Sequence, residues 1–127
     1  MALRKAKSSG KGKGYVPSQG DLVWLDFSPQ AGHEQAGRRP ALVLSPSAYN
    51  QKAGLAVLCP VTNQIKGYPF EVELPQGHTV SGAVLADQVR SLDWRSRNAK
   101  LIESASADLV QIVVAKVSAL IQPDEPE

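Results

Sequence analysis

GDLVWLDFSPQAGHEQAGRRPALVLS, residues 20–45, contains two apolar segments separated by a long polar loop. Residues 21–27 and 41–45 are rich in leucine and valine, which favours β-strands. Residues 28–39 contain two glycines, a proline and several polar side chains, and a loop of that length in a compact domain is often functional. The stretch therefore predicts two adjacent strands that present a functional loop.

Several further segments have the composition of strands: residues 54–61, 68–74, 82–88 and a short one at 99–102. In the second of them, Phe70, Val72 and Leu74 alternate with two glutamates, which is typical of a half-exposed strand. Residues 46–52 are predicted to form a turn or a short helix. Many short strands in sequence favour a small antiparallel sheet that curls on itself.

After residue 105 the apolar period becomes that of a helix. Ser106 is suited to be its N-cap residue, and Pro123 is expected to stop it. The predicted apolar stripe consists of Leu109, Ile112, Val113, Lys116, Val117, Leu120 and Ile121. The fold class is therefore mainly β with a C-terminal α-helix: a small antiparallel SH3-like barrel packed with that helix.

The charge divides the chain into a domain and two tails. Residues 1–14 hold five basic residues and no acid, whereas the remainder carries nine basic and 12 acidic residues. We expect a disordered basic tail at 1–14, a folded domain at 15–122 and an acidic tail at 123–127. The basic tail could add loose attraction to nucleic acid, and it is equally compatible with a solubilising extension.

Composition and motifs exclude several function classes. Cys59 is the single cysteine, so no intrachain disulfide is possible, and no apolar run reaches membrane-spanning length. A cytoplasmic protein is the expectation. Motifs for zinc or for nucleotide cofactors are lacking, and His33 and His78 lie in different predicted loops, so we expect neither metal nor cofactor. Cys59 is interpreted as a buried structural thiol.

The most reactive polar side chains surround the first long loop. Glu34 and Arg39 lie in it, and Thr62 stands at the end of a predicted core strand, a position that can hold a reacting group rigidly. From composition alone, a surface ion pair between Glu34 and Arg39 and a plain strand end at Thr62 explain the same residues.

The spaced pattern of residues 20–50 resembles the MazF family of toxin endoribonucleases, also called MazF/PemK/Kid. The positions that carry the resemblance are Gly20, Asp21, Asp26, Phe27, Pro29, Gly32, Glu34, Gln35, Gly37, Arg39 and Pro40. It continues through residues 60–62, 66–72 and 86–91 and covers about residues 15–121. Many type-specific positions match in order, so the signal is specific.

The resemblance implies a homodimer of SH3-like barrels that cleaves single-stranded RNA, and an antitoxin of the MazE kind whose C-terminal segment occupies the RNA groove. The family's essential arginine falls on Arg39, its loop glutamate on Glu34 and its catalytic threonine on Thr62. Some relatives have histidine where this chain has Arg38, which affects the expected cleavage sequence and affinity rather than the reaction.

These residue types suit metal-independent cleavage of RNA. The 2′-hydroxyl is the nucleophile, Arg39 and Thr62 would stabilise the charge growing on the phosphate, and Glu34 would position or deprotonate the hydroxyl. The expected products carry a 2′,3′-cyclic phosphate and a 5′-hydroxyl. The candidate RNA-binding residues are Phe27, which could instead be a core residue, and Gln35, Arg38, Lys66, Gln88 and Arg90.

Two alternatives lie in other function classes. One is a non-catalytic toxin on the same scaffold, like the gyrase-binding CcdB family, which would not require Glu34, Arg39 and Thr62 together. The other is an SH3-like interaction module, which usually needs an aromatic-lined groove. Aromatic residues make up only 6% of this chain, which disfavours the module.

Overall fold

The computed structural model describes residues 14–27 and 37–125. It contains two α-helices, α1 (Ser47–Ala53) and α2 (Ala107–Leu120). The strands, numbered along the chain, are β1 (Asp21–Asp26), β2 (Arg38–Val43), β3 (Ala56–Thr62), β4 (Glu71–Glu73), β5 (Ala83–Leu85), β6 (Arg90–Leu92) and β7 (Lys100–Ser104).

All strand pairs are antiparallel, and β3 is the strand on which the sheet divides. The order is β4-β5-β3-β2-β1-β7, with β6 as an additional partner of β3. The first half of β3, from Ala56 to Leu58, pairs with β6, whereas its last two residues, Val61 and Thr62, pair with β5. Because one strand serves two partners on the same side, the sheet curls, as the sequence predicts for this mainly β fold.

Hydrophobic side chains pack on both faces of the central strands. Successive residues of a strand point to opposite faces, and Leu22 and Val23 accordingly belong to different core clusters. Leu109 and Val113 of α2 cover the first cluster, while Tyr15 and Trp94 close the second. Burial on both faces explains why residues 41–44 form an unbroken apolar run.

Strand β2 begins earlier than the sequence indicates. Arg38 and Arg39, predicted to lie in the loop, pair with Asp26 and Leu25 of β1. Pro40 pairs with Trp24, while the β2–β3 ladder starts only at Ala41. A proline is tolerated at such a position because the missing N–H leaves no gap in that second ladder.

Residues 82–88 do not form a single strand as predicted. Strand β5 ends at Leu85, and Ala86–Gln88 form one 3₁₀ turn. The predicted strand at 68–74 likewise shortens to the three residues of β4, in which Val72 is buried and Glu73 is exposed, as the alternation predicts. The candidate RNA-binding residue Gln88 therefore lies in a turn rather than in a strand.

The N-cap of helix α2 is the predicted one, but the buried face of the helix is narrower than the predicted apolar stripe. The Ser106 hydroxyl accepts a hydrogen bond from the Leu109 N–H at 3.2 Å. Ile112 and Leu120, placed in the predicted stripe, are half-exposed, and Ile121 is 74% exposed. Within residues 14–27 and 37–125, no helix has the length and apolarity needed to cross a lipid bilayer.

A buried polar network fixes the segment before β1 to α1. The Asn50 side chain is fully buried. Its Nδ2 donates to the carbonyl oxygens of Pro17 at 2.8 Å and Ser45 at 3.0 Å, and its Oδ1 accepts from the Ser45 hydroxyl at 2.6 Å. The Trp94 indole donates to the Asn50 carbonyl at 2.9 Å. Every polar atom of this amide is therefore paired in the interior.

We expect Asn50→Ala to lower the free energy of unfolding by about 2–4 kcal/mol, because it leaves buried partners unpaired and creates a cavity. Gln51→Ala, an exposed neighbour on the same helix, is the matched control and should change stability by less than about 0.5 kcal/mol. Urea unfolding measures both. Equal losses in the two variants would show that the network is not stabilising.

Candidate active site

Arg39 and Thr62 come together through the pairing of β2 with β3. The β2–β3 ladder ends with Ala41 opposite Pro60. Arg39 and Thr62 lie two residues beyond this pair, one on each strand. The Arg39 Nη1 donates a long hydrogen bond of 3.4 Å to the carbonyl oxygen of Val61, the residue before Thr62. This contact holds the guanidinium against the backbone that leads into Thr62.

The Thr62 side chain is held by its own loop. It is 5% exposed, and its Oγ1 accepts a hydrogen bond from the Gln64 N–H at 3.1 Å. Because the oxygen is engaged as an acceptor, the hydroxyl proton points elsewhere and can be donated to another group. Thr62 therefore has the geometry of a fixed hydrogen-bond donor at a strand end.

Gly82 supports Thr62 from the neighbouring strand. It has a φ of +114°, and a Cβ built on it would overlap the Thr62 carbonyl oxygen. Only glycine permits both this conformation and this close approach. The Thr62 backbone is therefore packed closely against the start of β5.

A cavity of about 390 Å³ opens next to Thr62. This volume lies in the range of about 300–1,000 Å³ that is usual for small-molecule sites. Most of its walls are polar, and its lining residues are Thr62, Gln64, Lys66, Tyr68, Glu71, Leu85, Asp87 and Gln88. The cavity can accept a polar ligand of about nucleotide size beside the threonine hydroxyl.

Glu71 organises the loop that forms one wall. Its carboxylate accepts hydrogen bonds from the backbone N–H groups of Lys66, at 3.1 and 3.2 Å, and Gly67, at 2.9 Å. Its own N–H donates to the Tyr68 carbonyl at 3.0 Å. The loop is thereby closed on itself in one conformation.

Arg38 forms a polar cluster with Asp26 and Asn98 at the end of β1. It donates to the Asp26 carboxylate and to the Asn98 carbonyl, both at 2.9 Å, and the Asn98 amide donates to Asp26 at 2.8 Å. These hydrogen bonds from Asn98 and Arg38 hold the pKa of Asp26 below its ordinary value. The Arg38 charge is thus balanced by Asp26 in this structure.

A match to a known family extends over nearly the whole folded domain. A sequence model of the PemK-like, MazF-like toxin of type II toxin-antitoxin systems matches residues 18–121. The chain belongs to this family.

Known MazF proteins are similar to this chain along nearly their full length. The endoribonuclease toxin MazF of Escherichia coli K12 is 50% identical over 107 residues, which is 84% of this chain and 96% of the relative. A crystal structure of MazF from Deinococcus radiodurans has 62% identity and a TM-score of 0.82, covering 84% of this chain and 97% of that one. A MazE–MazF structure from D. radiodurans has 55% identity and a TM-score of 0.75, covering 84% and 96%.

The predicted RNA-binding residues of this MazF-like chain divide into groups. Lys66 and Gln88 line the cavity beside Thr62. Arg90 is the first residue of β6, opposite Leu58, and is not among the lining residues. Glu34 and Gln35 fall outside the residues that the structure describes.

Phe27 is not available for base stacking, which corrects that part of the prediction. Its side chain is fully buried in the second core cluster with Leu25 and Trp94. No ring face is exposed to a base in this conformation, and the alternative interpretation as a core residue is the one supported. The sequence alone does not distinguish an aromatic residue at a strand end that stacks on a base from one that packs in the core.

The remaining titratable candidates are structural. Cys59 is fully buried, and burial, with a smaller effect of the Asp87 charge, raises the pKa of its thiol to about 12, so it is protonated at neutral pH. His78 accepts the Ser106 N–H at 3.2 Å and so joins its loop to the start of α2. Among the described residues, no cluster of three or more His, Cys, Asp or Glu is placed to hold a metal ion.

Tyr68, Glu71 and Asp87 are cavity residues that the residue-by-residue reasoning missed. The composition of their segments predicted strands and indicated no ligand or partner for their polar groups. The signal was nevertheless present, because all three lie in the segments 66–72 and 86–91 that carry the family resemblance.

We expect Gly82→Ala to destabilise the toxin by about 1–3 kcal/mol more than Gly77→Ala, because an added Cβ must displace the Thr62 backbone. Gly77 also has a positive φ, of +103°, but a Cβ there would meet no atom within 4 Å. It therefore controls for backbone strain alone. Urea unfolding gives the comparison, and equal destabilisation of the two variants would mean that the contact with Thr62 is not restrictive.

Proposed function

We propose that this MazF-like toxin is an endoribonuclease that cuts single-stranded RNA at short sequences, without a metal, and leaves 2′,3′-cyclic phosphate and 5′-hydroxyl ends. The observation that carries the proposal is the contact of the Arg39 guanidinium with the carbonyl oxygen of Val61, next to Thr62. Thr62 lines the polar cavity, whereas Arg39 is not among its lining residues. A strand-borne cation and a fixed hydroxyl form a suitable cradle for one phosphate group.

The reaction requires little covalent chemistry from the protein. RNA carries its nucleophile, the 2′-hydroxyl, next to each phosphodiester, so alignment of that hydroxyl for in-line attack supplies much of the rate. The attack forms a bond from O2′ to phosphorus, and the bond from phosphorus to O5′ breaks. The departing O5′ takes up a proton from solvent to give the 5′-hydroxyl end. Single strands allow the two flanking nucleotides to separate, which favours this alignment over a duplex.

Arg39 stabilises the negative charge that develops on the phosphate. Its guanidinium offers N–H donors in a planar fork suited to phosphate oxygens. Arginine is a poor proton donor because its pKa exceeds about 12, so its role is electrostatic. Thr62 adds a neutral donor from a strand end that Gln64 and Gly82 hold in place.

Glu34 is the proposed base that removes the proton of the 2′-hydroxyl. The family pattern places it five positions before Arg39 in the loop between β1 and β2. A carboxylate is suited to this task when it lies within hydrogen-bond distance of the hydroxyl. Lys66 and Gln88, which line the cavity, are proposed to contact the phosphate and a base edge, respectively, and Gln35, Arg38 and Arg90 remain proposed RNA contacts.

The proposed regulation follows the family. A MazE–MazF structure from D. radiodurans has 55% sequence identity to this chain. We propose that a MazE-like antitoxin neutralises this toxin by occupying the RNA groove with its C-terminal segment. We also propose that the toxin is a homodimer and that it acts in the cytoplasm, where messenger RNA is available.

Arg39→Ala should reduce cleavage at least ~10²–10³-fold, because it removes a donor to the charged transition state. The measurement uses a long single-stranded RNA in excess EDTA, with sequencing of fragment ends and chemical mapping of the terminal phosphates. Arg95→Ala is the matched control, since Arg95 is an exposed arginine stacked on Trp94, 4.5 Å from its ring centroid, away from the cavity lining.

Discrete cuts by the unmodified protein and by Arg95→Ala, with cyclic-phosphate and 5′-hydroxyl ends, are the expected result. Fragments with 5′-phosphate ends would exclude attack by the 2′-hydroxyl. RNA left intact across substrates covering all short sequence words would contradict the endonuclease proposal and favour a gyrase-binding toxin, which supercoiling assays detect.

Thr62→Val should lower kcat about 100-fold, because it replaces the hydroxyl donor by a methyl group of similar size. Thr62→Ser retains the hydroxyl and should keep most of the activity. Single-turnover cleavage of one oligonucleotide measures both variants, with the urea midpoint as a check on folding. If the valine variant is folded and cleaves as fast as the serine variant, the hydroxyl has no role in the reaction.

A further inference from the structure

We propose that Tyr68 is a stacking platform for the base of a nucleotide that flanks the cleaved phosphate. The inference rests on the proposed RNA-cleaving function and adds a binding residue to it. The proposed chemistry of cleavage does not require Tyr68. Its position beside the cavity suits it instead to hold the substrate.

Tyr68 combines exposure with proximity to the site. Its side chain is 58% exposed, a large fraction for an aromatic residue that no core cluster includes. It lines the same cavity as Thr62. A nucleotide whose phosphate lies at Thr62 can therefore place its base, or the base of its neighbour, against the tyrosine ring.

The platform is held in place before any ligand binds. Glu71 accepts the N–H groups of Lys66 and Gly67 and donates its own N–H to Tyr68, so the backbone on both sides of the ring is fixed. Gly67 has a φ of +79°, which favours glycine at this turn. A preorganised aromatic group loses less conformational entropy when it binds than a mobile one does.

The surroundings of the ring favour a nucleotide over an apolar ligand. The Lys66 ammonium lies 5.9 Å from the centroid of the Tyr68 ring, within the range of a cation–π contact. A positive charge therefore lies within reach of the phosphate of a nucleotide held at this ring. Gln64 lines the same cavity, and a glutamine side chain offers both a donor and an acceptor to a base edge.

Stacking explains how the toxin can hold a strand at positions that it does not read. Every base has a π-face, so an aromatic platform binds single-stranded RNA with little sequence preference. Hydrogen-bonding groups such as Gln64 then add discrimination. Because stacking is present before and during the reaction, its loss should raise KM and leave kcat almost unchanged.

The test compares three substitutions of Tyr68. Tyr68→Phe keeps the π-face, whereas Tyr68→Leu keeps apolar bulk and Tyr68→Ala keeps neither. Tyr49→Ala is the matched control, because Tyr49 is a 43% exposed tyrosine on α1 that does not line the cavity. The probe is an oligoribonucleotide containing the mapped cleavage sequence, with 2′-deoxyribose at the cut nucleotide, so that binding is measured without cleavage.

We expect Tyr68→Ala and Tyr68→Leu to raise the Kd of this probe about 10- to 100-fold, while Tyr68→Phe and Tyr49→Ala bind as the unmodified protein does. With cleavable RNA, KM should rise by a similar factor in the first two variants and kcat should change less than about threefold. The phenylalanine variant guards against misfolding, because it preserves nearly all of the side-chain volume at this position.

Leucine binding as tightly as tyrosine would overturn the stacking role, and so would a fall in kcat at unchanged KM. A change in oligomeric mass that accompanies the weakened binding would also overturn it, because Tyr68 would then belong to a contact between subunits. Cleavage by the unmodified protein is established first. If that protein leaves RNA intact, the proposed function fails, and this outcome is separate from any result with the variants.

Discussion

The antiparallel register between β2 and β3 is the constraint on which the site depends. It brings a residue from the start of one strand, Arg39, to the end of the next, Thr62, although the two are far apart in sequence. A shift of one residue would turn one of the two side chains to the opposite face. The two core clusters oppose such a shift, because it would move leucine and valine side chains from one buried face to the other.

Rigidity at the site comes from backbone contacts rather than from ion pairs. The Glu71 carboxylate accepts the main-chain N–H of Gly67, and the Gln64 N–H donates to the Thr62 hydroxyl oxygen. Gly82 lies against the Thr62 carbonyl. Such hydrogen bonds and packing contacts act at short range, whereas an RNA substrate carries a high density of charge. The protein can thus keep its shape while its electrostatic surroundings change on binding.

Much of the architecture could be predicted from the sequence, because alternation and apolar runs report burial directly. The strands, the cap at Ser106 and the place of Thr62 at a strand end all follow from local patterns. The early start of β2 and the 3₁₀ turn at Ala86–Gln88 depend on partners distant in sequence, and local reasoning therefore missed them. Phe27 and Tyr68 show the same limit, since an aromatic residue does not reveal whether its neighbours will cover it.

The buried thiol of Cys59 has a consequence for how this fold can be observed. A thiol that is fully covered and protonated at neutral pH reacts with neither oxidants nor alkylating reagents until the strand around it opens. Since it is the chain's single cysteine and lies in β3, which joins both branches of the sheet, its alkylation rate reports the opening of the centre of the molecule. The protein therefore carries an intrinsic probe of its own opening motions.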